Sequence, residues 1–193
     1  MILLPFRRPR QAPSIDALYG MIVAQARRRT FYLGYGVPDT IAARLDMIML
    51  HLVLLLRQVA KEQGNAQGVA TPAGQQLFDR FCQDIDDNFR EMGVGDLTVP
   101  KEMRRVAEAF YGRAKAYESA LADDNAAALE AAVARNVFGV TEPPLGARRL
   151  AAYMREASRR FGEQEPVALA RAELEFPDPE ATAAPSLQGR PNP

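Results

Sequence analysis

Met47 and His51 stand one helical turn apart in the most apolar stretch of the chain. A thioether and an imidazole at that spacing could offer axial ligands to haem iron. Their company limits this chemistry. His51 is the single histidine, so no multi-histidine metal site can form, and no Cys-x-x-Cys-His run supplies haem attachment. A histidine hydrogen-bonded inside a packed core fits the same position and suits its apolar neighbours better. Asp84 and Asp87 share a helix face, as paired carboxylates for a metal would. No Glu-x-x-His pair accompanies them, and Arg80 with Asp84 and Asp86 with Arg90 have ordinary i,i+4 ion-pair spacing. Gly34-x-Gly36 lacks the preceding strand and third glycine of a nucleotide-binding turn, and Cys82 is alone. With no Ser/His or Cys/His constellation, the expectation is a binding protein: no enzyme, no cofactor, no metal.

These residues sit on helices. From Leu45 to Leu56 only Asp46 and His51 interrupt an apolar run, leaving no polar stripe for water, so 39–63 is expected to be a central helix buried on several sides. Its run stops at Arg57, short of the ~18 apolar residues that suggest a membrane span. Asp39-Thr40 signs its start and Lys61 to Gly64 its end.

Other stripes recur at helical spacing. Ile15, Leu18, Tyr19, Ile22, Val23 and Ala26 follow Ser14 as N-cap and lead to Arg27-Arg28-Arg29, cations that suit a helix C-terminus or an acidic partner. Phe78, Phe81, Ile85, Phe89 and Met92 form another, closed by Gly93. Met103, Ala107, Phe110, Ala114, Tyr117 and Leu121 follow Pro100, with Gly112 inside, where close helix packing would explain a glycine. Asp123 or Asp124 is expected to cap a helix through Leu129, Val133 and Val137. Another follows Pro143-Pro144, with Leu150, Met154, Ala157 and Phe161 inward. No stretch alternates as a strand. The fold expected is all-α: a single-domain bundle of about six helices over 14–162, preceded by a basic and apolar arm, 1–13, and followed by a proline-rich, largely disordered tail, 163–193.

Across 193 residues, 24 Lys plus Arg balance 24 Asp plus Glu, which argues against a general nucleic-acid binder. The balance is uneven: residues 1–44 carry seven arginines against two aspartates, net +5, leaving −5 for the rest. At the front, apolar residues precede the charges, the reverse of a secretory signal. Export is not expected. One cysteine suits a reducing cytoplasm, and Phe6, Arg7, Arg8 and Arg10 suit either a solvated, disordered lead-in or weak peripheral contact with an anionic inner membrane face.

Two segments go further. Gln25-Ala26-Arg27, Phe31-Tyr32, Gly36-Val37-Pro38-Asp39-Thr40, Arg44-Leu45-Asp46-Met47-Ile48 and Leu50-His51 form the first. Leu77-Phe78-Asp79, Asp84-Ile85-Asp86, Arg90-Glu91-Met92-Gly93-Val94-Gly95-Asp96, Val99-Pro100-Lys101 and Ala109-Phe110-Tyr111-Gly112-Arg113 form the second. In order and spacing this series resembles the ubiquinol–cytochrome c chaperone family over about residues 15–121; 122–162 follow it loosely and neither tail does. The resemblance implies a helical assembly factor for the cytochrome bc1 complex that binds newly made cytochrome b, with a smaller partner chaperone in mitochondria and no catalytic residues.

A chaperone for such a client needs an exposed surface mixing apolar groups and charge. The loop Thr30 to Pro38, with two glycines, a proline and three aromatics, and the turn Gly93 to Pro100 are separated by two helices, which puts them at one end of an alternating bundle. Tyr32, Tyr35, Asp39, Arg90, Asp96, Lys101, Tyr111 and Arg113 are the residues expected near that surface. Capping, ion pairing and core filling are the structural alternatives. Two other functions stay open: a haem or quinone carrier using the central helix and the aromatic loop, and a scaffold for another soluble protein.

Overall fold

The computed structural model describes residues 15–64 and 68–183, so the arm with Phe6, Arg7, Arg8 and Arg10, the cap Ser14 and the last ten residues lie outside it. The fold is all-α, with no strand among the described residues. Its helices are α1 Ile15–Ala26, α2 Arg29–Leu33, α3 Ile41–Glu62, α4 Pro72–Glu91, α5 Val99–Ala122, α6 Ala126–Val133, α7 Leu145–Glu163, α8 Pro166–Ala170 and α9 Pro179–Ala183. A 3₁₀ turn, Gly68–Ala70, precedes α4, and α6 runs on into a π turn, Ala134–Phe138.

The six long helices are those expected from the stripes. Every residue from Asp46 to Leu56 is buried, because α1, α4, α5 and α7 pack around α3 and cover its whole circumference. The Thr40 side chain accepts from the Ala43 amide at 3.2 Å, and Gly64, with φ +64°, follows the other end. Gly93 and Gly139, at φ +79° and +67°, stop the chain after α4 and the π turn, as glycine can at no steric cost.

Cross-links between helices fix direction. Asp16 pairs with Arg80 and the Tyr19 hydroxyl donates to Asp84, so α1 and α4 run parallel. Gln25, His51 and Tyr153 meet at one level of α1, α3 and α7. The linkers 27–40, 92–98 and 139–144 therefore lie at one end, the loop end. Counting about 1.5 Å per residue from the shared level brings Ile15, Lys61 and Glu163 to the opposite end.

Three local expectations need correction. Asn125, not Asp123 or Asp124, caps α6, accepting from the Ala128 amide at 3.0 Å; Asp124 instead takes φ +48° and pairs with Arg155 at 2.8 Å. Met92 leaves its stripe and is exposed, because it is the C-cap residue where the chain departs from α4. Gly112 is not a close-packing glycine: a Cβ there would meet nothing within 4 Å. Close approach occurs at Gly146, where a Cβ would stand 1.8 Å from the Tyr35 carbonyl oxygen.

Disorder from residue 163 does not hold for 163–183 either. Leu174 is buried, Phe176 stacks edge-on against Phe161 and His51 at 4.9 and 5.3 Å, and Gln164 exchanges two hydrogen bonds with the Glu175 backbone. The few apolar residues of a proline-rich segment suffice because a preformed aromatic surface receives them. α9 follows and reaches the loop end.

Candidate functional site

The loop end is built on the His51 level. His51 is fully buried, its Nδ1 lies 2.7 Å from the Met47 carbonyl and its Nε2 3.1 Å from the Tyr153 hydroxyl. A carbonyl only accepts, so Nδ1 carries the proton and Tyr153 donates to Nε2. The Tyr153 oxygen in turn accepts from Gln25 Nε2 at 2.9 Å, and that amide also donates to the Pro177 carbonyl at 3.2 Å. Burial holds the imidazole down at about 4, which matches the neutral tautomer this network needs.

The ring is walled by Phe31, Tyr153 and Phe176 at centroid distances of 5.4, 5.6 and 5.3 Å. Both nitrogens are committed, and Met47 presents its carbonyl to the histidine. Their donor set does not fit an axial pair for haem. Asp84 likewise is held by Tyr19 at 3.0 Å and by Arg80 at 3.8 Å, and no cluster of potential ligands occurs among the described residues. Burial also pushes the Cys82 thiol up to about 11, away from a reactive thiolate.

The residues expected at a shared surface fall into three groups. Tyr32 and Asp39 come together through Arg44, which pairs with Asp39 at 2.6 Å and lies 5.4 Å over the Tyr32 ring; the Tyr32 hydroxyl donates to the Ala26 carbonyl. The hydrogen bond that Arg44 donates, together with its charge, holds the Asp39 carboxyl below its usual range. Arg90 and Asp96 form an exposed pair at 2.5 Å, continued to Asp86 at 2.7 Å, with Lys101 exposed at the start of α5. No hydrogen bond, ion pair or ring contact among the described residues joins these two groups.

The third group does not join that surface: two of its members are spent inside the fold and one lies away from the loop end. Tyr35 is 2% exposed: its hydroxyl donates to the Pro179 carbonyl at 2.9 Å and lies 2.7 Å from the Thr182 hydroxyl, and Phe31 packs on its ring. Pro179 and Thr182, in the segment expected to be disordered, cover it. Arg113 leaves the surface to pair with the buried Asp46 at 2.7 Å. Tyr111 is half exposed but lies against Phe78 at 5.5 Å, well down the α4–α5 pair from the turn.

Exposed apolar residues were missed at this end. Leu33 is 76% exposed, Ile41 73%, Leu145 63% and Val140 42%. They cap the ends of elements brought together by the Gly146–Tyr35 approach and by Arg149 donating to the Gly34 carbonyl at 3.2 Å. Ile41 and Leu145 carried a readable signal, as apolar residues at the start of expected helices and off the inward stripes, whereas Leu33 closes α2, a short helix inside the stretch expected to be a loop. Leu97, at 98%, occupies the second turn beside Asp96. Arg28 meets an internal acid, Asp178, at 2.9 Å.

The protein is thus a helical bundle whose loop end mixes exposed apolar side chains with ion pairs. Its family is visible across most of the chain: the protein belongs to the ubiquinol-cytochrome C chaperone family, whose model matches residues 34–176. A crystal structure of the Cbp3 homolog from Brucella abortus is similar at 35% identity, covering 86% of this chain and 90% of that one, with a TM-score of 0.74. No curated protein matches. The family match runs through α6, α7 and on to Phe176, well past the stretch whose motifs suggested it.

Proposed function

We propose that this protein is an assembly chaperone that binds newly made cytochrome b and promotes assembly of the cytochrome bc1 complex. The observation that carries this reading is the loop-end surface: Leu33, Ile41, Val140 and Leu145 exposed beside the Tyr32–Arg44–Asp39 cluster, in a chain of the ubiquinol-cytochrome C chaperone family. A nascent membrane protein presents apolar helices joined by polar loops. A rim of exposed aliphatics can shield the first while neighbouring charges meet the second. Arg90, Asp96, Leu97 and Lys101 are a second patch available to the same client at this end. Tyr35 and Arg113 act from behind, by fixing the elements that carry the surface.

A photo-crosslinker at Leu33 or Ile41 is expected to capture cytochrome b during its synthesis, while one at Ser158, near the opposite end, is not. Equal capture from both ends, or capture from neither while bc1 assembly is normal, counts against this surface.

The protein works at the inner membrane face. No described helix is long and apolar enough to cross a membrane, and the peripheral contact is assigned to Phe6, Arg7, Arg8 and Arg10. Removal of residues 1–10 is expected to shift the protein from membrane to soluble fraction, and high salt to release the intact chain; an unchanged distribution rejects the arm's role.

A further inference from the structure

Residues 176–182 lie across the loop end as a strap, and the way they are held describes the site beneath them. Phe176 packs edge-on against His51 and Phe161. Beyond it the chain alternates. Pro177 and Pro179 are buried, while Asp178 and Glu180 are exposed and meet Arg28 at 2.9 Å and the Thr30 hydroxyl at 3.2 Å. Prolines bring no N–H, so this stretch needs mainly donors for its carbonyls. Gln25 Nε2 donates to the Pro177 carbonyl at 3.2 Å and the Tyr35 hydroxyl to the Pro179 carbonyl at 2.9 Å.

Under the strap is a groove walled by Tyr35, His51 and Phe161 and backed by Phe31, 5.3 Å from the Tyr35 ring and 5.4 Å from that of His51. Each proline restricts the residue before it, so Phe176 to Pro179 is set in an extended form before it docks. Aromatic walls that receive a preset, proline-bearing segment are a recurring mode of recognition between proteins. The strap closes this groove weakly. Its Arg28–Asp178 pair is about half exposed on both sides, and the Thr30 contact lies at the surface, so each holds little. At five residues, α9 is too short to be a stable helix by itself. The helix α2 joins groove and rim: Leu33 is exposed with the other aliphatics, while Phe31 and Thr30 belong to the seat of the strap.

We infer that this groove is a peptide-binding site held in cis by residues 176–182, and that the strap gives way there to an extended segment of the client carrying an aromatic residue, a proline, an acid and a second proline in that order. Phe161 and His51 receive the aromatic ring, Gln25 and Tyr35 the two proline carbonyls, and Arg28 the acid. While closed, the strap competes with any such segment, so loosening it raises the apparent affinity by the factor by which the open fraction grows. The choice of occupant rests on the chaperone reading above; the groove does not.

Purified full-length protein is titrated with a fluorescein-labelled peptide of residues 174–183, read by anisotropy. Asp178→Lys sets a like charge against Arg28 at the surface and leaves the core untouched. It is expected to quicken amide exchange in 177–183 and to bind the peptide about fivefold more tightly than wild type. Tyr35→Phe in that background removes the donor to the second proline carbonyl and is expected to weaken binding about fivefold. A peptide with both prolines replaced by alanine should bind several-fold less well. Unchanged exchange in Asp178→Lys overturns the displaceable strap. Quickened exchange without a gain in peptide affinity, or equal binding of the alanine peptide, overturns the groove as a proline-reading site.

The occupant is tested with a photo-crosslinker at Thr30, which is expected to capture newly made cytochrome b more in Asp178→Lys than in the otherwise wild-type chain. Capture from Leu33 but not from Thr30, in a protein that binds the peptide, overturns the client as occupant. Capture from neither position refutes the chaperone reading itself, and the occupant with it.

Discussion

Asp46 on α3 and Arg113 on α5 are joined at 2.7 Å inside the bundle, the aspartate only 8% exposed. The pair ties together the two segments whose motifs resemble the family, Arg44 to Ile48 and Ala109 to Arg113. It does so at a cost. Burial outweighs the arginine and pushes the Asp46 carboxyl up to about 6. Arg113→Ala would leave that carboxyl uncompensated, and about 3 kcal/mol of stability should be lost at pH 7.5, with less lost at pH 5, where Asp46 takes up a proton. Urea unfolding at both pH values measures this; equal losses would mean the carboxylate is not the cause.

His51 and Asp46 act on pH stability with opposite signs. His51 titrates at about 4 when folded and near 6.5 when unfolded, so its contribution is present above 6.5 and lost as pH falls toward 4. Asp46 titrates above its unfolded value, so acid favours the fold between about 6 and 3.8. Each is on the order of 3 kcal/mol, and across pH 4 to 6.5 they offset. Asp46→Asn should therefore fold at pH 7 yet lose stability steeply on acidification. A pH dependence unchanged from wild type would contradict the opposition.

Gly112 and Gly146 should respond in opposite directions to alanine. Gly112 lies mid-helix facing open space, so Gly112→Ala is expected to stabilise by up to about 1 kcal/mol. Gly146→Ala forces a methyl against the Tyr35 carbonyl, backbone against backbone, and should destabilise by about 2 kcal/mol or more. Thermal unfolding of the two variants decides it.

The stripes revealed the long helices because each spends its apolar residues on one face, and α3 stood out because it spends them on all faces. Caps were less legible. Asp123, Asp124 and Asn125 are three adjacent residues of capping type, and only backbone direction selects Asn125. Thr71-Pro72 was a readable start to α4, with the threonine side chain accepting from the Gly74 amide at 3.0 Å, but it was hidden in a polar connection. The binding surface was half visible. Aromatic loop residues look alike in sequence whether they face outward, like Tyr32, or are roofed by a segment far along the chain, like Tyr35 under Pro179. That roof depends on contacts nearly a chain length apart, to which local patterns are blind.

The roof itself can be tested. Tyr35→Phe removes the bonds to Pro179 and Thr182, an effect of about 1 kcal/mol. Amide exchange in 177–183 should quicken while α3 stays protected. Unchanged exchange there would mean that Phe176 and the Arg28–Asp178 pair hold the segment without the tyrosine.

Deletion of the gene, followed by measurement of cytochrome b and b-type haem absorbance in the membranes, is the most direct test of the proposed function. Loss of both, with b-type haem of other complexes intact, is the result expected of a dedicated bc1 assembly chaperone. Normal cytochrome b and a working bc1 complex would contradict it.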